Sequence, residues 1–343
     1  MNALSVGHTV MEPYLEAETG PILWLQEWGR PLVAPMELIT HLGSQGVLIV
    51  LVATVFWCVN AGLGARMFVL LISSGVVNGL FKSLSYSPRP YWFDARITGY
   101  HHHSGFGMPS GHSQAVVVAW GYPAIRSGRR AAMWAAAVVV LLVAFSRVLL
   151  GAHFIGDVVV GLALGILILW LFLRYEGRVL AWWLGSEPRR TALWLLIVVL
   201  TPCVIATAWQ YGVRGDWTVP TTEWIGPTPA DPAGASLAGL YTACGGLLGG
   251  VAGLTLLYRR GWYSAEGTIT ARMARFVLGF SVLVVLLVAE RILFRDLTGL
   301  ALALVSFVVY AASAFWASYG APRAFVRSGL ATSAEVEGRG GGR

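Results

Sequence analysis

Nine apolar runs follow one another between residues 46 and 317 of this chain, most of them near the length needed to cross a membrane. About 20 residues of helix cross ~30 Å of hydrocarbon. No water is available there, so every backbone N–H and C=O must be satisfied within the protein, and a helix does this segment by segment. The runs lie near residues 46–59, 67–85, 110–125, 131–150, 153–173, 191–209, 235–257, 273–288 and 297–317. The first is short, with a start as early as Leu38. Composition agrees: 12% of the residues are charged and 56% hydrophobic, whereas soluble domains carry about 25% charged residues. The expected fold class is all-α, a polytopic membrane helix bundle.

The formal charge of +7 is a topology signal, since the basic residues sit in short loops between runs. No nucleic-acid partner is expected from it. The loops after the first, third, fifth and seventh runs, with the C-terminal tail, hold 16 of the 24 basic residues. The positive-inside rule makes that face cytoplasmic and the opposite face extracytoplasmic. Residues 1–34 do not read as a signal peptide, because they lack a basic leader and carry Glu12, Glu16, Glu18 and Glu27. They read as an interfacial segment, with a short helix over 21–28 setting Trp24 and Trp28 at headgroup level. Cys58, Cys203 and Cys244 lie inside apolar runs and read as packing residues. Gly245, Gly249 and Gly253, with Gly246 and Gly250 beside them, form a small-residue ridge for close helix packing. The Gly- and charge-rich tail, 321–343, reads as disordered.

Three polar motifs interrupt this apolar pattern, and span parity puts all of them on the outer face. The first, Lys82 to Pro90, closes the second run and contains the only lysine of the chain together with Arg89. A compact ammonium and a guanidinium suit a phosphate; taken alone, they also suit a snorkelling lysine and a loop arginine. The second, Pro109-Ser110-Gly111-His112, opens the third run. Ser110 there is an N-cap, the free N–H groups of a helix start attract anions, and His112 adds a proton donor. The third runs from Ser146 to Asp157, with Arg147, His153 and Asp157. His153 and Asp157, four apart, share one helical face. Each motif alone has a bland reading, and their agreement in side is what argues against three accidents.

Lys-x6-Arg-Pro, Pro-Ser-Gly-His and Ser-Arg-x5-His-x3-Asp together resemble the signature of the type 2 phosphatidate phosphatase superfamily, with every defining position present. The resemblance covers residues 35–175. It implies a six-helix phosphatase core, followed over 176–320 by about three further transmembrane helices with no recognisable motif. It implies that His153 is the nucleophile, forming a phosphohistidine. Asp157 would orient its imidazole, and His112 would be the general acid. Lys82, Arg89 and Arg147 would clamp the phosphate, with Ser110 and Gly111 completing its cradle. The implied substrate is a phosphorylated lipid, either a phosphatidate-type monoester or a polyprenyl diphosphate, handled without metal or other cofactor. A phosphotransferase shares the first half-reaction. Tyr91-Trp92 after Arg-Pro leaves a glucose-6-phosphatase-like activity open. A non-catalytic transporter lacks the broken, inverted halves it would need. The run His101-His102-His103 reads as a polar loop at the rim of the site and not as a metal site.

Overall fold

Each of the nine apolar runs folds as helix, and the boundaries follow local chemistry. The computed structural model describes residues 3–334, with side chains from Glu12 onward. The helices are α1 (Ala3–Trp28), α2 (Val33–Thr40), α3 (Gln45–Thr54), α4 (Ala61–Ser85), the short α5 (Pro90–Phe93), α6 (Gly111–Arg126), α7 (Arg130–Leu149), α8 (Ile155–Gly185) and α9 (Pro188–Thr207). They are followed by α10 (Pro232–Arg260), α11 (Ile269–Leu293), α12 (Gly299–Phe315) and α13 (Ala321–Arg327). Side chains cap several starts: Asn60 accepts from Leu63 N–H, and Asp231 from Gly234 N–H at 2.7 Å. Tyr86, in the left-handed region at φ 52°, ends α4 and turns the chain toward α5.

Seven helices among the described residues are long and apolar enough to cross a bilayer, and a pair bent by 49°, Arg30–Gly43 with Gln45–Val59, makes an eighth if taken as one span. Of the nine runs expected to cross, seven or eight therefore meet the length on their own. The run at 110–125 is the exception, because α6 has 16 residues and is about 24 Å long. It starts at the fully buried Ser110, is enclosed by α4, α7 and α8, and carries the chain away from the end where Lys82 and Ser110 lie, to which α7 then returns.

The glycine ridge is packing surface on two sides. A Cβ on Gly245 or Gly249 would lie 2.1 Å from Phe307 O or 1.9 Å from Ala311 O, both on α12. Gly246 and Gly250 turn instead to Ile72 and Phe68 of α4. Helix α10 is thus wedged between α4 and α12, and a core of Val199, Leu237, Leu240 and Cys244 closes around it. The three cysteines are free and buried.

Both chain ends depart from expectation. The N-terminal helix is not confined to 21–28; it runs through Pro13 and Pro21. Trp24 and Trp28 face outward, while Leu15, Glu18, Ile22 and Gln26 are buried on the other side. The segment expected to be disordered from 321 is ordered through 334. Phe325 of α13 is fully buried, and strand β2 (Ser333–Ala334) pairs antiparallel with β1 (Trp262–Tyr263). Residues 335–343 of the expected tail lie outside the described residues.

Candidate anion-binding active site

The end of α4, the start of α6 and the α7–α8 turn converge at one end of the bundle. Lys82 lies on the last turn of α4, and its Nζ donates to Phe106 O (2.7 Å) and Gly107 O (3.1 Å). Arg89, 4% exposed, donates from Nε to Gly105 O, from Nη1 to Ala152 O and from Nη2 to Phe106 O. A guanidinium has five N–H groups and an ammonium three. Three of the Arg89 donors and two of the Lys82 donors are therefore held by main-chain carbonyls. Nη1 also faces His153 Nε2 at 3.4 Å, so what remains is one N–H on Arg89 Nη2 and one on Lys82, donors suited to an oxyanion.

Arg147, on the last turn of α7, completes the trio. Its Nη1 donates to Thr40 Oγ1 (2.8 Å) and its Nη2 to His103 Nε2 (3.0 Å), whereas its buried Nε–H has no partner. A buried guanidinium with an unused donor beside two further cations has room for an anionic partner.

After Arg147 the chain turns sharply. Gly151 has φ +65°, and a Cβ there would meet Thr98 O at 2.4 Å, so both conformation and space demand glycine. The turn delivers His153, whose Nδ1 lies 3.3 Å from Asp157 Oδ2 and whose Nε2 lies 3.4 Å from Arg89 Nη1. Asp157 also accepts from Phe154 N–H (3.1 Å), which fixes it at the start of α8. Since Asp157 is an acceptor at Nδ1, the Nε2 lone pair faces the cations. Burial, with Arg89 beside it, holds the His153 imidazole well below its ordinary range and therefore neutral.

Ser110 caps α6, accepting from Ser113 N–H (3.5 Å) and Ser113 Oγ–H (3.0 Å), while its own N–H donates to Asp157 O (2.9 Å). Gly111 and His112 are the first residues of α6, where backbone N–H groups have no partner within the helix. The His112 ring lies 6.5 Å from that of His103.

All eight residues singled out in the sequence are thus at this end of the bundle. The histidine run splits three ways and presents no shared ligand face. His101 Nε2 is 3.9 Å from Glu37, the His102 ring packs on Tyr91, and His103 enters the site. Burial, with Arg89 and Arg147 nearby, pushes His103 down from its ordinary 6.5 to about 2. Sequence reasoning placed His103 at the rim and missed Thr40 altogether. It also missed the inner face of α1. Glu18 there accepts from Gly156 N–H (3.0 Å) at the start of α8, and Gln26 bonds Thr98 O, Leu149 O and Thr98 N–H. A glutamate and a glutamine spaced two turns apart on α1 are the signal that was available.

Bundle and site together define a polytopic α-helical membrane protein with a cationic, histidine-bearing site at one end. Residues 63–181 match the model of the PAP2 superfamily, and residues 241–333 match that described as PAP2 superfamily phosphatase, transmembrane extension. The two matches take in more than half of the chain, which belongs to the PAP2 superfamily. The second match also gives a family to helices that carry no legible motif. Over 171 residues the chain is 29% identical to phosphatidylglycerophosphatase B of Bacillus subtilis (strain 168), covering 46% of this chain and 80% of that protein. It is also similar to the crystal structure of a transmembrane PAP2-type phosphatidylglycerolphosphate phosphatase from Bacillus subtilis. That match has 25% sequence identity and a TM-score of 0.42, and covers 51% of this chain and 92% of the other.

Proposed function

We propose that this protein is an integral membrane phosphatase that hydrolyses a phosphomonoester or diphosphate on a lipid through a phosphohistidine intermediate. The observation that carries the reading is His153, held neutral with Nδ1 on Asp157 and Nε2 beside the Arg89 guanidinium. A phosphate seated on Arg89, Lys82 and Arg147 sets its phosphorus in front of Nε2. The Nε2 lone pair attacks phosphorus, the P–O bond to the lipid breaks, and His112 gives the departing oxygen its proton. Asp157 stabilises the positive imidazole that results. Water then attacks the phosphorus, His112 takes a proton from it, and the N–P bond breaks to return His153 and release inorganic phosphate. The three cations neutralise the equatorial oxygens throughout, with Ser110 and the Gly111 N–H adding donors. Because fixed cations fill this role, turnover should survive EDTA.

A lipid substrate is supported by the membrane bundle around the site and by the named activity of the Bacillus subtilis relative. The basic-residue asymmetry supports an active site on the extracytoplasmic face of the cell membrane. The test of mechanism is phosphoenzyme trapping from a labelled nitrophenyl phosphate and from a lipid phosphate, in EDTA. His153→Ala should abolish both turnover and label. His112→Ala should still trap label from the nitrophenyl ester, whose acidic leaving group needs little protonation. Equal loss in both variants would overturn the two assignments.

A further inference from the structure

Helix α10 carries no residue of the three motifs, yet its first turns touch the phosphate clamp. Ser236, 3% exposed, accepts from Phe106 N–H at 3.0 Å and donates to Pro232 O at 2.8 Å, so its hydroxyl is fixed in direction. The Phe106 N–H belongs to the same peptide group as Gly105 C=O, which receives Arg89 Nε. The next peptide group presents Phe106 C=O to both Lys82 and Arg89, and its N–H, that of Gly107, donates to Ser87 O at 2.9 Å. These two of the peptide planes that hold the cations are therefore anchored from behind. One anchor is supplied within the first motif; the other is supplied by α10, 130 residues away.

A hydrogen bond to a peptide N–H polarises the carbonyl of that peptide and strengthens its hold on a cation. Space makes the contact specific, since a Cβ on Gly105 would lie 3.0 Å from Ser236 Oγ. The surroundings hold α10 in register. Asp231 caps its first turn, and in the preceding loop Gly226 N–H donates to Trp92 O at 2.8 Å while Trp217 packs on Tyr86 and Phe106.

We propose that Ser236 is a positioning residue for the phosphate clamp, which makes the C-terminal helices part of the active site and not an appended anchor. The proposal rests on the reading of Lys82 and Arg89 as phosphate ligands. Without the hydroxyl, Phe106 N–H is a buried donor with no partner, and loop 105–107 turns to find one, carrying Arg89 and Lys82 off aim.

The test is Ser236→Ala in the full-length protein, read by kcat and KM on a lipid phosphate and by orthovanadate affinity, which needs no turnover. Both kcat and vanadate affinity should fall about tenfold, with KM changed less than about threefold and the unfolding temperature within a few degrees. Ser236→Thr, which keeps the hydroxyl, should recover most of both. Wild-type kcat and vanadate affinity in Ser236→Ala would overturn the proposal. So would equal losses in the Ala and Thr variants accompanied by a fall in unfolding temperature, because that pattern marks packing alone. A wild-type protein that binds vanadate but hydrolyses no lipid phosphate would remove the substrate reading, and the vanadate comparison would still decide Ser236.

Discussion

Each cation of the site is committed partly to the fold and, in the proposed mechanism, partly to a ligand. Lys82 is the sharpest case, with two donors on Phe106 O and Gly107 O and one left over. A guanidinium in its place is bulkier and aimed differently. Lys82→Arg should therefore lose ~2.7–4 kcal/mol of transition-state stabilisation, a fall in kcat of about a hundredfold or more. A variant within about threefold of wild type would reduce Lys82 to a snorkelling residue. His103 makes a prediction about pH. It stays neutral in the folded protein down to about pH 2, whereas in the unfolded chain it takes up a proton below about 6.5. Between these values the unfolded state binds more protons, so the His103 contribution is full above pH 6.5 and is lost as pH falls. His153 acts with the same sign. Thermal unfolding of His103→Gln, with phosphate excluded, should show a shallower fall between about pH 6.5 and 4.5 than wild type. Parallel curves would mean that His103 is not desolvated. That these residues gather at one site was legible because their types and spacings are local: Lys82 to Arg89, Ser110 to His112, Arg147 to Asp157. Thr40, His103, Glu18 and Ser236 were not, because each meets its partner 44 to 138 residues away and has no local pattern to mark it.

Among the helices, the pattern that read best was the one with a steric consequence. Three glycines four apart predicted close approach, and α10 takes that approach against α12. Gly249→Val should cost roughly 1–3 kcal/mol or more, because Ala311 O occupies the space of the new side chain. The check is thermal unfolding in detergent, and an unchanged midpoint would show that α12 is free to shift. What did not read well was helix length. Apolar character gave the run at 110–125 no sharp length, whereas α6 has 16 residues and its start is set by Ser110 at a buried site. Apolar character also hid α1, whose sequence is mixed. Its helix survives two prolines because the Leu15–Ile22 face docks on Phe154 and the aromatic loops. Tertiary packing overrides propensity at both places.

For the whole molecule, sidedness decides which substrates can arrive. With Lys82, Arg89 and Arg147 set aside as ligands, the bias of basic residues still runs through every loop on one face. Single cysteines at Ser104 and Thr222, in a chain freed of Cys58, Cys203 and Cys244, should react with an impermeant maleimide in intact cells. Those at Ser127 and Ser186 should react only after lysis. The reverse pattern would move the site, and its substrate, to the cytoplasm. The α-helical bundle class was plain from the apolar runs, whereas the contact between α10 and the site was not, because it joins two stretches that are each unremarkable in isolation. The carbonyls of Gly105, Phe106, Gly107 and Ala152 have a consequence of their own. They aim Lys82 and Arg89 by main chain, whereas Arg147 is held by the side chains of Thr40 and His103. On the proposed reading, recognition by these donors is addressed to the phosphoryl group and not to the tail. A lineage carrying such a receptor would change its lipid by remodelling the walls around it, leaving the chemistry untouched.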